Sequence, residues 1–297
     1  MGLVRIRKFS YTLSGLFVLA SVISLWAYGL RLGIDFTGGS LLEINYSSAR
    51  PEIALVSARL EALNLGQIIL QPLGERGFSM RSRELSGPEA DQVLATFSQL
   101  GDIQDSNSYT LSSSLGREVA IRSLWAIALV LLAIVFYIAW AFRKVSIPVS
   151  SWFYGLFAVV ALFHDIFIPL GVFSLLGKFK GVEVDTLFVT ALLTVLGFSV
   201  HDTIVVFDRV RENLKNQIKN ESFEETVDRS LWQTLVRSIN TSLTVLIVLV
   251  SLYLFGAEST RYFSLALIIG IIAGTYSSIF IASPLLVTWN NFRRSKS

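Results

Sequence analysis

The sequence predicts a membrane bundle of six helices that carries one extracytoplasmic α+β domain. Three observations predict it. Hydrophobic residues make up 53% of the 297 and charged residues 16%, against about a quarter charged in a soluble domain. Six apolar runs are long enough to cross a bilayer. Between the first two lies a polar stretch, residues 31–117, patterned like a folded module.

The first run, residues 9–30, holds 22 uncharged residues, about 33 Å as a helix, and a bilayer core is about 30 Å thick. It follows Arg5, Arg7 and Lys8. The run exceeds the roughly 7 to 15 residues of a signal-peptide core, so it is read as an uncleaved helix. The other runs are residues 123–142, 149–177, 184–207, 238–257 and 262–289.

Charge sets the expected orientation. One set of connections carries Arg143 and Lys144, then Arg209, Arg211, Lys215, Lys219 and Arg229, then Arg293, Arg294 and Lys296. The alternate short loops carry only Lys178, Lys180 and Arg261. This asymmetry predicts a multi-pass protein of the inner (plasma) membrane with both termini cytoplasmic and residues 31–117 outside. The boundaries are then 1–30 for the N-terminus and first span, 31–117 for the outer domain and 118–297 for the other five spans. A charged cytoplasmic connection, residues 208–236, is expected to be an amphipathic helical loop.

Within the outer stretch, residues 41–46, 67–72, 77–83 and 102–110 read as strands, and 52–63 and 87–99 as helices. Val56, Leu60 and Leu63 recur at helical spacing, as do Ala90, Val93, Leu94 and Phe97, while Ser86 and Pro88 suit a helix entry. The order βαββαβ is that of a split-βαβ, ferredoxin-like sandwich. A six-helix bundle with a large loop after its first helix suggests half of a duplicated transporter.

Composition excludes several classes of function. A net charge of +3 is too small to point to nucleic acid, and the absence of Cys removes disulfides, thiolate nucleophiles and Cys-based metal sites. No Gly-Lys-Ser or Gly-Lys-Thr phosphate loop is present, and the two His-Asp pairs lack metalloprotease spacing. The reading is a protein that is not an enzyme, with no cofactor and no metal, driven by a gradient or by another protein's ATP.

Asp202 is the leading functional candidate. An acid inside an apolar helix costs about 2.5 to 3.5 kcal/mol by insertion scales, so it should face protein or water and serve protons. Arg237 enters the fifth span where an antiparallel neighbour brings it towards Asp202, and their separation would gate the proton. His164 and Asp165 interrupt the third span, and the order recurs at His201 and Asp202. Adjacent helical positions point about 100° apart, so a relay is expected to join groups from different helices. The alternative for the acids and histidines is plain interhelical hydrogen bonding, and for Arg237 it is a topology anchor at a helix end.

Gly33, Asp35, Gly38 and Gly39 are read as a turn joining the first helix to the outer domain, with a moving hinge as the alternative. Gly270 and Gly274, followed by Ser278, form a small stripe for helix packing against the fourth span, and Gly197 is assigned to packing as well.

Three stretches carry a resemblance: GIDFTGGS at 33–40, GFSVHDTIVVFDRVREN at 197–213, and TLVRSINTS at 234–242 together with residues 270–278. They resemble the SecF family of protein-export membrane proteins, within the resistance-nodulation-division (RND) superfamily, from the first helix to the last. Where that family is expected to carry Asn before the intramembrane Asp, this chain has His201, which changes the neighbours of Asp202. The resemblance implies half of an RND-type transporter that pairs with a SecD-like subunit beside the SecYEG channel, with SecA. It also implies an unfolded preprotein as cargo and protons as the driving ion. The alternatives are an RND-type exporter of small molecules or lipids, and a non-transporting assembly factor.

Overall fold

The computed structural model describes residues 2–66, 68–143, 149–216 and 221–295. Gln67, in the second expected strand, and the topology residues Lys144, Lys219 and Lys296 lie outside the described residues. A 3-10 turn, Val4–Ile6, leads into α1 (Arg7–Tyr28), a one-turn α2 (Ile34–Thr37), β1 (Gly39–Tyr46), α3 (Ile53–Glu61), β2 (Ile69–Leu73) and β3 (Gly77–Ser82). Then come α4 (Gly87–Ser98), β4 (Ile103–Leu111), α5 (Ser113–Ala141), α6 (Ser151–Lys180), α7 (Thr186–Lys215) and α8 (Phe223–Phe255). The last span is α9 (Glu258–Ser277), a π-helical turn (Ser278–Ala282) and α10 (Ser283–Arg294). The chain divides into two units, Leu32–Leu124 and Met1–Arg31 with Trp125–Ser297.

The smaller unit is the expected βαββαβ fold. Its sheet runs β2-β3-β1-β4 with every neighbouring pair antiparallel, so β3 lies between β1 and β2 as a split βαβ requires. Alternation on β1 sends Leu42, Ile44 and Tyr46 to one face, where Ile44 pairs with Phe78 and Leu42 with Met80. Val56 and Leu60 of α3 and Val93 and Phe97 of α4 close that core. At the entry to α4, Glu89 accepts the backbone N–H and the hydroxyl of Ser86, each at 2.8 Å, while Pro88 occupies the first turn. One element was not expected: α2 turns residues 34–37 into helix, so the Gly pair ends a helix and starts a strand.

The larger unit holds five of the six spans whole and α5 from Trp125 onwards. Half or more of the most apolar stretch is buried in α6 (56%), α7 (50%) and the last span (61%), against 22% in α1, 6% in α5 and 17% in α8. The first three are therefore its centre. Serines let α1 approach α6: Ser174 Oγ donates to Ser24 O at 2.9 Å, and a Cβ on Gly171 would lie 2.3 Å from Ser21 Oγ. Asp185 caps α7 by accepting Phe188 N–H at 2.8 Å, and Ser222 with Glu225 forms a capping box on α8.

Three boundaries differ from the sequence reading, each for a local reason. α5 begins at Ser113, well before its apolar run, because Leu115, Arg117, Glu118, Ala120 and Arg122 are helix formers that carry the helix beyond it. The charged connection is largely two helical extensions, since α7 runs to Lys215 and α8 starts at Phe223. The last span breaks at the π turn, where Ser283 Oγ bonds Ser278 O at 3.0 Å.

Candidate functional site

Two buried carboxyls face the centre of the larger unit, and their surroundings differ. Asp165 on α6 is 0% exposed and fully partnered. Its Oδ2 accepts Ser199 Oγ from α7 at 2.5 Å and Ser277 Oγ from α9 at 2.8 Å, while Oδ1 meets His164 Nδ1 at 2.9 Å. One acid thus ties three helices together. His164 and Asp165 sit at adjacent positions and their side chains touch each other directly, while the other partners of Asp165 come from different helices.

Asp202 on α7 is 3% exposed and its Oδ2 has no hydrogen-bond partner. Ser238 of α8 approaches it, and that hydroxyl is also buried without a partner; the two do not close a hydrogen bond. Arg237 and His201 are exposed and act on the carboxyl through charge rather than contact. The fifth span does bring Arg237 towards Asp202, as its antiparallel course implies. The second His-Asp pair, in contrast, is split between an exposed ring and a buried acid.

A hydroxyl network lies beside both acids. Thr203 and Ser278 share a hydrogen bond at 2.8 Å, Ser278 Oγ also reaches Gly274 O at 3.0 Å, and Ser242 pairs with Thr275 at 2.5 Å. These contacts join α7, α8 and the last span. Close backbone approach makes them possible: a Cβ on Gly270 would lie 2.3 Å from Val195 Cγ2, and one on Gly274 2.9 Å from Ser199 Cβ. Gly197 does not share this role, because nothing lies within 4 Å of where its Cβ would be. Sequence reasoning missed Ser199, Ser238 and Ser277. Their only signal was spacing, with Ser199 one turn before Asp202 and Ser277 one turn after Gly274.

In the smaller unit, Gly38 has φ +73° and Gly39 φ +125°, backbone that other residues resist. A Cβ on Gly38 would lie 2.4 Å from Ser113 Cα, and one on Gly39 2.6 Å from Ser82 O. Gly33, with φ −75°, is under no such constraint. Below the bundle's polar centre, Asn213 of the second motif is buried between α7 and α8. Its amide donates to Ser230 Oγ and Gln233 Oε1, each at 2.8 Å, and its carbonyl accepts Arg229 Nη1 at 2.9 Å. Among the described residues no cluster of three His, Asp or Glu could hold a metal.

The family model described as protein export membrane protein SecD/SecF, C-terminal, matches residues 91–292. The chain belongs to the SecD/SecF family. A second family model, the SecD/SecF GG motif, matches residues 23–49, which include the Gly38–Gly39 pair. Protein translocase subunit SecF of Thermobaculum terrenum is 46% identical over 100% of this chain and 98% of its own length. Protein translocase subunit SecDF of Bacillus subtilis is 34% identical over 95% of this chain and 37% of its own length. Among solved structures, SecDF of Thermus thermophilus, a translocon-associated membrane protein, matches with 30% identity and a TM-score of 0.84. That match covers 98% of this chain, which spans 39% of the solved SecDF chain. The SecD/SecF assignment accounts for the six-span bundle with one α+β module.

Proposed function

We propose that this chain is the SecF-type subunit of a Sec protein translocase and that it couples the proton-motive force to preprotein export. It works beside a SecD-type partner and the SecYEG channel, with SecA, on an unfolded polypeptide. The observation that carries the reading is the Asp202–Ser238 pair. Asp202 Oδ2 and the nearby Ser238 hydroxyl are both buried inside the membrane-spanning part without a hydrogen-bond partner of their own, a costly arrangement that a proton or a water completes. Its SecF relatives are named as translocase subunits, and the SecDF structure is named as translocon-associated.

The energy scale suits a conformational step. One proton crossing yields about 2.3 kcal/mol per 100 mV and about 1.4 kcal/mol per pH unit. Loading Asp202 removes the charge that Arg237 faces, and the α7–α8 contact then relaxes. His201 stands on the exposed side, and Asp165 with His164 forms a second proton site on α6. Gly38 and Gly39 act as a fixed elbow in the outer module, since a side chain at either would strike backbone. The N-terminus, the C-terminus and the α7–α8 connection lie in the cytoplasm, with residues 31–117 outside.

The test is preprotein transport into membrane vesicles with wild type and Asp202→Asn at equal abundance, with the proton gradient present or collapsed. The expected result is loss of only the gradient-dependent part in the variant. Equal transport under all four conditions would remove the coupling role.

A further inference from the structure

The two oxygens of Asp165 face different chemistry. Oδ2 takes hydroxyl protons from Ser199 at 2.5 Å and Ser277 at 2.8 Å, on two other helices, while Oδ1 faces only His164 Nδ1 at 2.9 Å. Both serines are essentially unexposed, at 1% and 0%, so bulk water cannot replace either donor. Ser277 has a second acceptor within reach, Gly274 O at 3.1 Å. A charged carboxylate at the shorter distance holds its proton more strongly than a neutral carbonyl. An oxygen that accepts two hydrogen bonds has both lone pairs in use. A proton placed on Oδ2 would therefore displace a charge-assisted hydrogen bond, leaving Ser277 only the longer contact to the neutral Gly274 O and Ser199 its contact to Asp165 alone.

We infer that Ser199 and Ser277 are positioning residues of the proton site: they reserve Oδ2 of Asp165 as an acceptor, so the exchangeable proton sits on Oδ1 and passes only through His164. This deepens the proton-coupled reading and rests on it. The step needs one proton acceptor beyond the pair, a water entering the groove that His164 lines. Asp165 Oδ1–H gives its proton to Nδ1 of the neutral ring, the imidazole passes the proton it carried on Nε2 to that water, and the carboxylate keeps its two hydroxyl donors. Running the transfer backwards reloads the acid.

His164 opens the way out. Its ring lines a groove of about 460 Å³ between α1, α6 and the last span, with Tyr11, Ser14 and Leu285 among the walls. The titratable groups that face the pair are Tyr276, whose ring lies 5.9 Å from that of His164, and Tyr11 on α1 across the groove; Asp202 lies one turn beyond Ser199 on α7. Tyr276 is held in place by Ser14 Oγ at 3.3 Å and Ser10 O at 3.2 Å. The exit from Asp165 is thus a single imidazole rather than a branching network.

Infrared difference spectra of the full chain in nanodiscs test this during a pH titration, with the Asp165 carboxyl band assigned by Asp165→Asn. Ser199→Ala and Ser277→Ala should each displace the band's midpoint by about one pH unit, the equivalent of one hydrogen bond to a charged group. Ser277→Thr, which keeps the hydroxyl, should restore the wild-type midpoint. His164→Phe, which removes the partner of Oδ1, should displace the band as well and, unlike the serine variants, slow its response to a pH jump at least tenfold. A midpoint indifferent to both alanine changes, or an unslowed response in His164→Phe, overturns the inference. A wild-type measurement covers variants that do not fold: with Asp165 loaded, the nitrogen spectrum of His164 should show the Nε2–H tautomer, and the Nδ1–H tautomer would overturn the assignment. None of these readouts needs export. Their failure leaves gradient-driven transport standing, whereas gradient-independent transport in vesicles would remove the broader reading alone.

Discussion

A Cβ on Gly116 would stand 2.7 Å from the backbone nitrogen of Gly38 and 3.0 Å from the carbonyl carbon of Phe36. The start of α5 therefore packs backbone to backbone on the segment that carries the Gly pair, and Gly116 completes a three-glycine fitting that the sequence reading did not include.

Gly116→Ala sets two effects against each other. Helix propensity favours Ala by about 1 kcal/mol, while overpacking costs about 1–3 kcal/mol. The atoms it would strike are backbone and have no rotamer to escape into, so overpacking wins. The expected outcome is a lower thermal midpoint and faster amide exchange in β1, with Gly15→Ala, at a position with nothing within 4 Å, as the control.

The contact between Gly270 and Val195 makes a matched prediction in the larger unit. Gly270→Ala should destabilise the bundle by about 1–3 kcal/mol, and adding Val195→Ala should recover most of that loss, which a double-mutant cycle in detergent would measure. Gly197→Ala should be neutral or slightly stabilising, since its side chain would meet no atom within 4 Å. Equal damage at Gly197 and Gly270 would show that the close approach of α9 to α7 is not the cause.

Asn213 is the hub of the α7–α8 hairpin. Asn213→Ala leaves Ser230, Gln233 and Arg229 each short of one partner, although Arg229 keeps Glu221 at 2.8 Å through both Nε and Nη2. The expected cost is about 1–3 kcal/mol. Disulfide trapping between cysteines placed near the C-terminal end of α7 and the N-terminal end of α8 should become less specific in register. Asn213→Asp keeps the acceptor towards Arg229 but not the two donations, and should fall between wild type and Ala.

Acid should loosen the α+β module at one identifiable place. Arg83, with Nη2 at 2.5 Å, together with the Ser86 backbone and hydroxyl, holds the Glu89 carboxyl down to about 2 from 4.5. A group depressed in the folded state contributes stability fully above its unfolded value, and loses that contribution as pH falls through the folded one. Protection of the α4 amides should therefore be constant above about pH 4.5, decline below it, and reach its floor near pH 2. Glu89→Gln should flatten this dependence, and hydrogen exchange on the full chain would show it. The pair is solvent-exposed, so the effect stays local to the α4 entry.

Much of the architecture was written in local pattern. Apolar run length gave the six spans, alternation at Leu42, Ile44 and Tyr46 gave β1, and spacing at Val93 and Phe97 gave α4. These features depend on neighbours within a few residues, so one chain suffices to see them. Helix ends were less legible because membrane helices continue into water wherever the residues are helix formers, as at Ser113 and Lys215. Asp165, His164 and Asp202 stood out as polar groups in apolar runs. Ser199, Ser238 and Ser277 did not, because a serine in a membrane helix is commonplace until a neighbour gives it a partner.

The sequence by itself determined where the chain crosses the membrane, the fold of the inserted module and which acids would be buried, since length, period and the cost of burying charge act along one segment. Only the tertiary structure decided that Asp165 is fully partnered while Asp202 Oδ2 is not. It also decided that Gly270 touches α7 while Gly197 touches nothing, and that Gly116 belongs with Gly38. Those outcomes depend on the rotation of each helix about its axis, where about 100° per residue separates a buried contact from an exposed one. That rotation is fixed by packing between segments far apart in the chain.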